Sequence, residues 1–132
     1  MWNIKQTEEF QDWFEEANNL LQADVVENVE VLRQMGPHLG RPKADTIKGS
    51  TISNLKELRF MSGEKVIRLF YVFDPDRNGV LLVGGNKTGI GNKKFYQQMI
   101  DKCEKIYVNY LVKRSKAIKK KTSCKTGKGE TK

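Results

Sequence analysis

Histidine, cysteine and proline are scarce in this chain, with one His, two Cys and three Pro among 132 residues. A single histidine, His38, excludes a two-histidine ribonuclease mechanism by inventory, and its place in a Gly/Pro segment reads as a solvated loop position. Cys103 and Cys124 show no C-x-x-C spacing and are too few for a disulfide framework or a zinc site, which suits a reducing cytosol. No apolar run approaches the roughly 18 residues of a membrane span, and the first residues lack the basic-then-apolar order of a signal peptide. A Gly-Lys-Ser/Thr phosphate loop is missing as well, since Gly84-Gly85 and Gly89-x-Gly91 have other spacings, so nucleotide hydrolysis is disfavoured. The acidic pairs Glu8/Glu9, Glu15/Glu16 and Asp74/Asp76 make no constellation for a divalent ion. The expectation is a cytoplasmic protein with no metal, no cofactor and no membrane partner.

What the chain does have is charge, and it is segregated. Residues 1–32 carry a net charge of −7, residues 33–112 carry +7, and residues 113–132 hold nine Lys/Arg against Glu130 alone, so the overall +8 resides in the tail. A like-charged block with few apolar residues cannot offset its ordering entropy. The sequence therefore divides into a folded domain over 1–112 and a basic, disordered tail over 113–132. That tail reads equally as a nonspecific attractor of ribosomal RNA or DNA and as a solubilising extension.

Periodicity orders the folded part. Trp2 to Gln6 alternates as a short strand. Phe10, Trp13, Phe14, Ala17, Leu20 and Leu21 fall at helical spacing behind the cap residue Thr7, and a second helix is predicted from Asp24, with Asp24 and Glu27 resembling a capping box, to Gly36-Pro37. Gly36 to Pro42 must be loop. Leu55–Met61, Val66–Asp74 and Val80–Gly84 read as antiparallel strands separated by turn formers. Phe95, Met99, Cys103, Ile106 and Tyr110 mark one face of a closing helix that ends near Leu111. The order β-α-α-β-β-β-α leaves one sheet face covered by two helices and the other free for polar side chains.

Strand alternation puts Leu55, Glu57 and Arg59 on one face and Lys56, Leu58 and Phe60 on the other; Arg68, Phe70 and Val72 likewise oppose Ile67, Leu69, Tyr71 and Phe73. Glu57, Arg59 and Arg68 interrupt apolar strands and are costly unless they meet a ligand or one another. A carboxylate, fixed cations and aromatics suffice for metal-free RNA cleavage in which the 2′-OH is the nucleophile. Glu57 is the candidate base, Arg59, Arg68 and Lys87 the phosphate clamps, and Tyr96 or Tyr71 the base-stacking or proton-donating aromatic. Lys56, Lys93 and Lys94 complete the candidate RNA contacts. Against this stands the plainer reading of Glu57, Arg59 and Arg68 as cross-strand ion pairs, with Lys87, Lys93 and Lys94 as a solvated loop and helix start.

The segments Gly36-Pro-His-Leu-Gly-Arg-Pro42, Ile47-Lys-Gly-Ser50 and Asn54-Leu-Lys-Glu-Leu-Arg59, followed by Ile67 to Asp76, Val80 to Lys87 and Phe95-Tyr96, occur in the order found in HigB-like toxins. Over residues 1–112 the chain resembles this branch, also called phage-derived-protein-like, of the RelE/ParE superfamily. The resemblance implies a RelE-like α+β fold and a type II toxin, an endoribonuclease commonly dependent on the ribosome. It further implies a cognate helix-turn-helix antitoxin, with operator DNA bound through the toxin–antitoxin complex. By position, Glu57 matches a base, Arg68 a phosphate-clamping arginine, Lys87 a basic residue past the last strand, Arg59 the Glu-Leu-Arg motif and Tyr96 an aromatic site. Asn86 departs from the Gly-Gly-Asp-Lys pattern, which removes an acidic group there. A ParE-like toxin that inhibits a topoisomerase uses the same fold, and a noncatalytic RNA-binding module is the third reading.

Overall fold

The computed structural model describes residues 1–131, with side chains described through Ile118. Five strands form one sheet in the order β1-β5-β4-β3-β2, with β1 Ile4–Gln6, β2 Ala44–Thr46, β3 Lys56–Ser62, β4 Lys65–Phe73 and β5 Gly79–Asn86. β2 to β5 pair antiparallel, as the turn formers between them require, whereas β1 lies parallel to β5, with Ile4 opposite Gly79. Three α-helices accompany the sheet: α1 Glu8–Glu16, α2 Asn19–Met35 and α3 Asn92–Thr131. This is the α+β architecture expected of a RelE-like fold.

Several local expectations need correction. The apolar series from Phe10 to Leu21 is not one helix: the chain turns extended at Ala17, and the Asn18 side chain accepts the Leu21 N–H at 2.8 Å to start α2. Asp24 and Glu27 therefore lie inside α2 and cap nothing. The Gly36–Pro42 segment contains a 3-10 turn over Gly36–His38 and leads into β2, a strand too short for alternation to reveal. His38 is exposed, edge-on to Trp2. α3 passes its expected end near Leu111, because the turn between β4 and β5 holds it. Tyr110 donates its hydroxyl proton to Asp74 at 2.8 Å, and the Arg114 guanidinium meets both oxygens of Asp76 at 2.8 and 3.0 Å. The expected tail over 113–132 thus begins inside α3; the side chains of residues 119–132 lie outside those described.

Most consequential is the second sheet face, which is not free. One core packs α1 and α2 on Leu58, Ile67, Leu69, Tyr71 and Leu81; the other packs Phe95, Met99, Cys103 and Ile106 of α3 on Phe70, Val72, Val80, Leu82 and Val83. The Gly84-Gly85 pair lets both layers close in. A Cβ on Gly84 falls 2.5 Å from the Trp13 ring, and one on Gly85 falls 3.0 Å from Met99 Cε on the opposite face. Gly84→Ala is therefore expected to cost about 1–3 kcal/mol through overpacking. Gly40→Ala, which meets nothing within 4 Å, should stay within about 0.5 kcal/mol; urea unfolding of both variants measures the difference.

Candidate active site

Glu57 and Arg68 are diagonal neighbours across β3 and β4, since Glu57 registers with Phe70 and Arg68 with Arg59. Both point toward α3, as the alternation expects, and both are buried, at 5% and 7% exposure. Arg68 Nε lies 3.4 Å from Glu57 Oε1. Tyr96, on the first turns of α3, closes a three-membered cluster: its hydroxyl donates to Glu57 Oε1 at 2.7 Å and accepts from Arg68 Nε at 3.3 Å. Arg68 also donates from Nη1 to the Ile67 carbonyl at 3.0 Å, which fixes the guanidinium plane. The Tyr96 ring is held edge-to-face by Phe70 and Phe95.

Burial raises the Glu57 carboxyl above the ordinary carboxylate range, against the opposing pull of the Tyr96 hydrogen bond and the Arg68 and Arg59 charges. Burial and the hydrogen bond to Glu57 also raise the Tyr96 phenol, so it stays protonated at neutral pH. A carboxylate held above its usual range beside a protonated phenol and a cation is a set able to accept and donate protons around a developing negative charge.

Glu57 and Tyr96 of this cluster line a cleft of about 400 Å³ together with Arg59, Ile100, Arg41, Asp45, Thr46, Ile47 and Lys48, and Arg68 sits behind them, bonded to both. A larger cleft, of about 450 Å³, lies between β1, the start of α1 and the later part of α3; its carboxylate, cation and phenol, Asp76, Arg114 and Tyr110, are the groups that tie α3 to the turn between β4 and β5. Among the described residues no group of His, Cys, Asp and Glu is arranged to hold a metal ion, and no helix is long and apolar enough to cross a membrane.

The structure brings together Glu57, Arg68, Tyr96 and half-buried Arg59. Lys87 sits past β5, its N–H bonded to the Val66 carbonyl, and does not line the cleft. Lys93 and Lys94 are exposed on the first turn of α3 near Tyr96, also outside the lining. Two of the expected RNA contacts lie on the opposite side of the sheet from the cleft, and for Tyr71 burial overturns the expectation. Tyr71 is fully buried in the core beneath α1 and α2, where burial raises its hydroxyl and no hydrogen-bond partner meets it, so no base can stack on it. Lys56 shares that side of the sheet and donates to the Pro37 carbonyl at 3.3 Å. Asn86 accepts the Thr88 N–H at 3.0 Å, a loop-shaping role that an acidic residue is not needed for. The sequence reading missed Arg41, Asp45 and Lys48. The only signal was the place of Arg41 and Lys48 in segments that carry the family resemblance; Asp45 falls between those segments, in a strand of just three residues.

Residues 12–108 match the family described as "Phage derived protein Gp49-like (DUF891)". The chain belongs to this family. Two curated relatives of this Gp49-like protein come from Mycobacterium tuberculosis (strain ATCC 25618 / H37Rv). One, named as toxin HigB3, is 37% identical over 99 residues, which cover 75% of this chain and 84% of the relative. The other, named as toxin HigB2, is 38% identical over 84 residues, covering 63% of this chain but only 41% of the relative. No solved structure matches. The Gp49-like chain is therefore similar to HigB toxins, in agreement with the resemblance its motifs carry.

Removing the cation from this buried pair has a defined cost. Arg68→Met should destabilise the Gp49-like chain by about 3–5 kcal/mol near neutral pH by leaving the Glu57 carboxylate buried and unpaired. Because the folded-state pKa of Glu57 lies above its unfolded value, ionising it costs stability as pH rises through the folded value. The Arg68→Met penalty should therefore shrink on acidification, and Glu57→Gln should cost less and show no such dependence. Urea unfolding at about pH 5 and pH 7.5 reads both.

Proposed function

We propose that the chain is the toxin of a type II toxin–antitoxin system and acts in the cytoplasm as a metal-independent endoribonuclease on mRNA. The observation that carries this reading is the Glu57–Arg68–Tyr96 cluster, whose carboxylate and phenol line an open cleft. Its relatives' toxin names support the coarser half of it. In the free protein Tyr96 donates to Glu57; a substrate 2′-OH entering the cleft takes over that position and donates to Glu57 instead. Glu57 removes the proton as the 2′ oxygen forms its bond to the adjacent phosphorus, and Arg68 and Arg59 stabilise the charge building on the phosphorane oxygens. The P–O5′ bond breaks, Tyr96 gives its proton to the departing 5′ oxygen, and a 2′,3′-cyclic phosphate and a 5′-hydroxyl end result. Ribosome-bound mRNA is the substrate, a cognate helix-turn-helix antitoxin holds the protein inactive, and operator DNA is met only through that complex.

One observation favours a second reading. Glu57 and Arg68 are paired with each other and largely buried, as in a structural ion pair, which suits a ParE-like toxin that binds a topoisomerase and cleaves nothing. The cleft and the phenol tip the balance, since a purely structural pair needs neither an opening above it nor a tyrosine hydroxyl on the carboxylate.

Primer extension on cellular transcripts after a short expression pulse separates the two. The nuclease reading expects new 5′ ends inside translated regions. These should fall by about 10²–10⁴-fold in Glu57→Gln, the span of a lost general base, and substantially in Tyr96→Phe. Growth arrest without new 5′ ends points to the topoisomerase reading.

A further inference from the structure

The rim of the cleft carries charge that the catalytic reading leaves unused. Two cations line it from separate segments, Arg41 ahead of β2 and Lys48 just after β2, beside the Arg59 of β3 that the catalytic reading already engages. Arg41 is well exposed, with 76% of its side chain accessible, and a side chain so placed ordinarily samples many rotamers. Here Asp45 restrains it. One Asp45 oxygen accepts from Arg41 Nε at 3.1 Å and Nη2 at 2.9 Å, and the other accepts the Thr46 N–H at 2.9 Å. The hydrogen bonding from Arg41 and that backbone bond hold the Asp45 carboxyl below its ordinary range.

Asp45 is an unexpected residue for this position. It is the register partner of Glu57, both line the same cleft, and its charge opposes ionisation of Glu57. A second carboxylate in a cleft that takes a polyanion weakens binding unless it places something that more than repays the repulsion. The guanidinium it holds has five N–H donors in a rigid fork. Asp45 engages those on Nε and Nη2, which leaves Nη1 to meet a phosphate. Ile47 and Ile100, which line the same cleft, add apolar surface against which a base can lie.

We propose that Arg41 and Lys48 contact the phosphates of single-stranded RNA flanking the scissile one, leading the strand across β2, and that Asp45 is the positioning residue that aims Arg41. This rests on the RNA reading above and extends it from the reacting phosphate to its neighbours.

The test is fluorescence anisotropy with a 2′-O-methyl RNA oligonucleotide, which cannot be cleaved, titrated between about 50 and 200 mM salt. Each phosphate contact on a single strand contributes about 0.7 to the slope of log K against log salt. Arg41→Ala and Lys48→Ala should each weaken binding and lower the slope by about that amount. Asp45→Asn decides the positioning role, because it makes the protein one unit more positive. Simple attraction expects tighter binding, whereas positioning expects weaker binding with a slope near that of Arg41→Ala and little added loss in the Arg41→Ala/Asp45→Asn double variant. Tighter binding by Asp45→Asn together with unchanged slopes for the two alanine variants overturns the proposal and leaves the nuclease reading standing. Failure of the wild-type protein to bind the oligonucleotide overturns the proposal, while the nuclease reading is decided separately by the primer extension above.

Discussion

Two ionised side chains, Glu57 and Arg68, sit on adjacent strands with less than a tenth of their surface accessible. Removing each from water costs several kcal/mol even after relaxation, and their attraction repays this only in good geometry. That requirement constrains the rest of the molecule. The pair is diagonal across β3 and β4, so a one-residue slip of register would send one partner to the α1 and α2 side and strand the other. The Ile67 carbonyl must remain within reach of Arg68. α3 must approach β5 closely enough for Tyr96 to bridge both charges, an approach that Gly85 permits under Met99 and Phe95. The long helix is in turn held by Asp74 and Asp76 in the turn between β4 and β5 and by Glu104 on Ser50 and Thr51.

A pair of this kind is a poor way to stabilise a small domain. Well-packed apolar residues of similar volume commonly do as well or better, and the apolar core continues on both sides of the cluster. The energetic cost is therefore better explained by the carboxylate that the pair presents to the cleft than by what the pair contributes to the core. The same reasoning applies to Asp45, which adds a repulsion to Glu57 and gains an oriented arginine.

Much of this was legible from residue order alone. The antiparallel strands, the apolar face of α3 and the common face of Glu57, Arg59 and Arg68 follow from period-2 and period-3.6 patterns, which report burial directly. Alternation also separated Lys56 and Tyr71 from Glu57, so naming them as RNA contacts set residue type above geometry; Tyr71 shows the result, buried to the last atom in the other core. The break at Ala17 was hidden because apolar spacing carries on across it, and only the Asn18 cap reveals the new helix. β2 was hidden because three residues cannot show a period. Its loss removed Asp45, Arg41 and Lys48 from view, since each reaches the cleft through that strand or the segments beside it.

Under the nuclease reading we propose, the closure of the second face by α3 changes what a substrate must do. An open sheet would let a nucleic acid lie flat across Arg59 and Arg68; the observed arrangement admits it only at the end near β2, above a carboxylate already hydrogen-bonded to a phenol. Access to Glu57 is thus an exchange, in which an incoming hydroxyl must replace that of Tyr96 without leaving the buried charge unpaired. Arg68 makes the exchange feasible because it bonds both the carboxylate and the phenol, so the negative charge keeps one partner throughout. A ligand lacking a hydroxyl at that position offers no such replacement, so the proposed reading carries with it a discrimination for a 2′-OH set by the desolvation cost of the alternative.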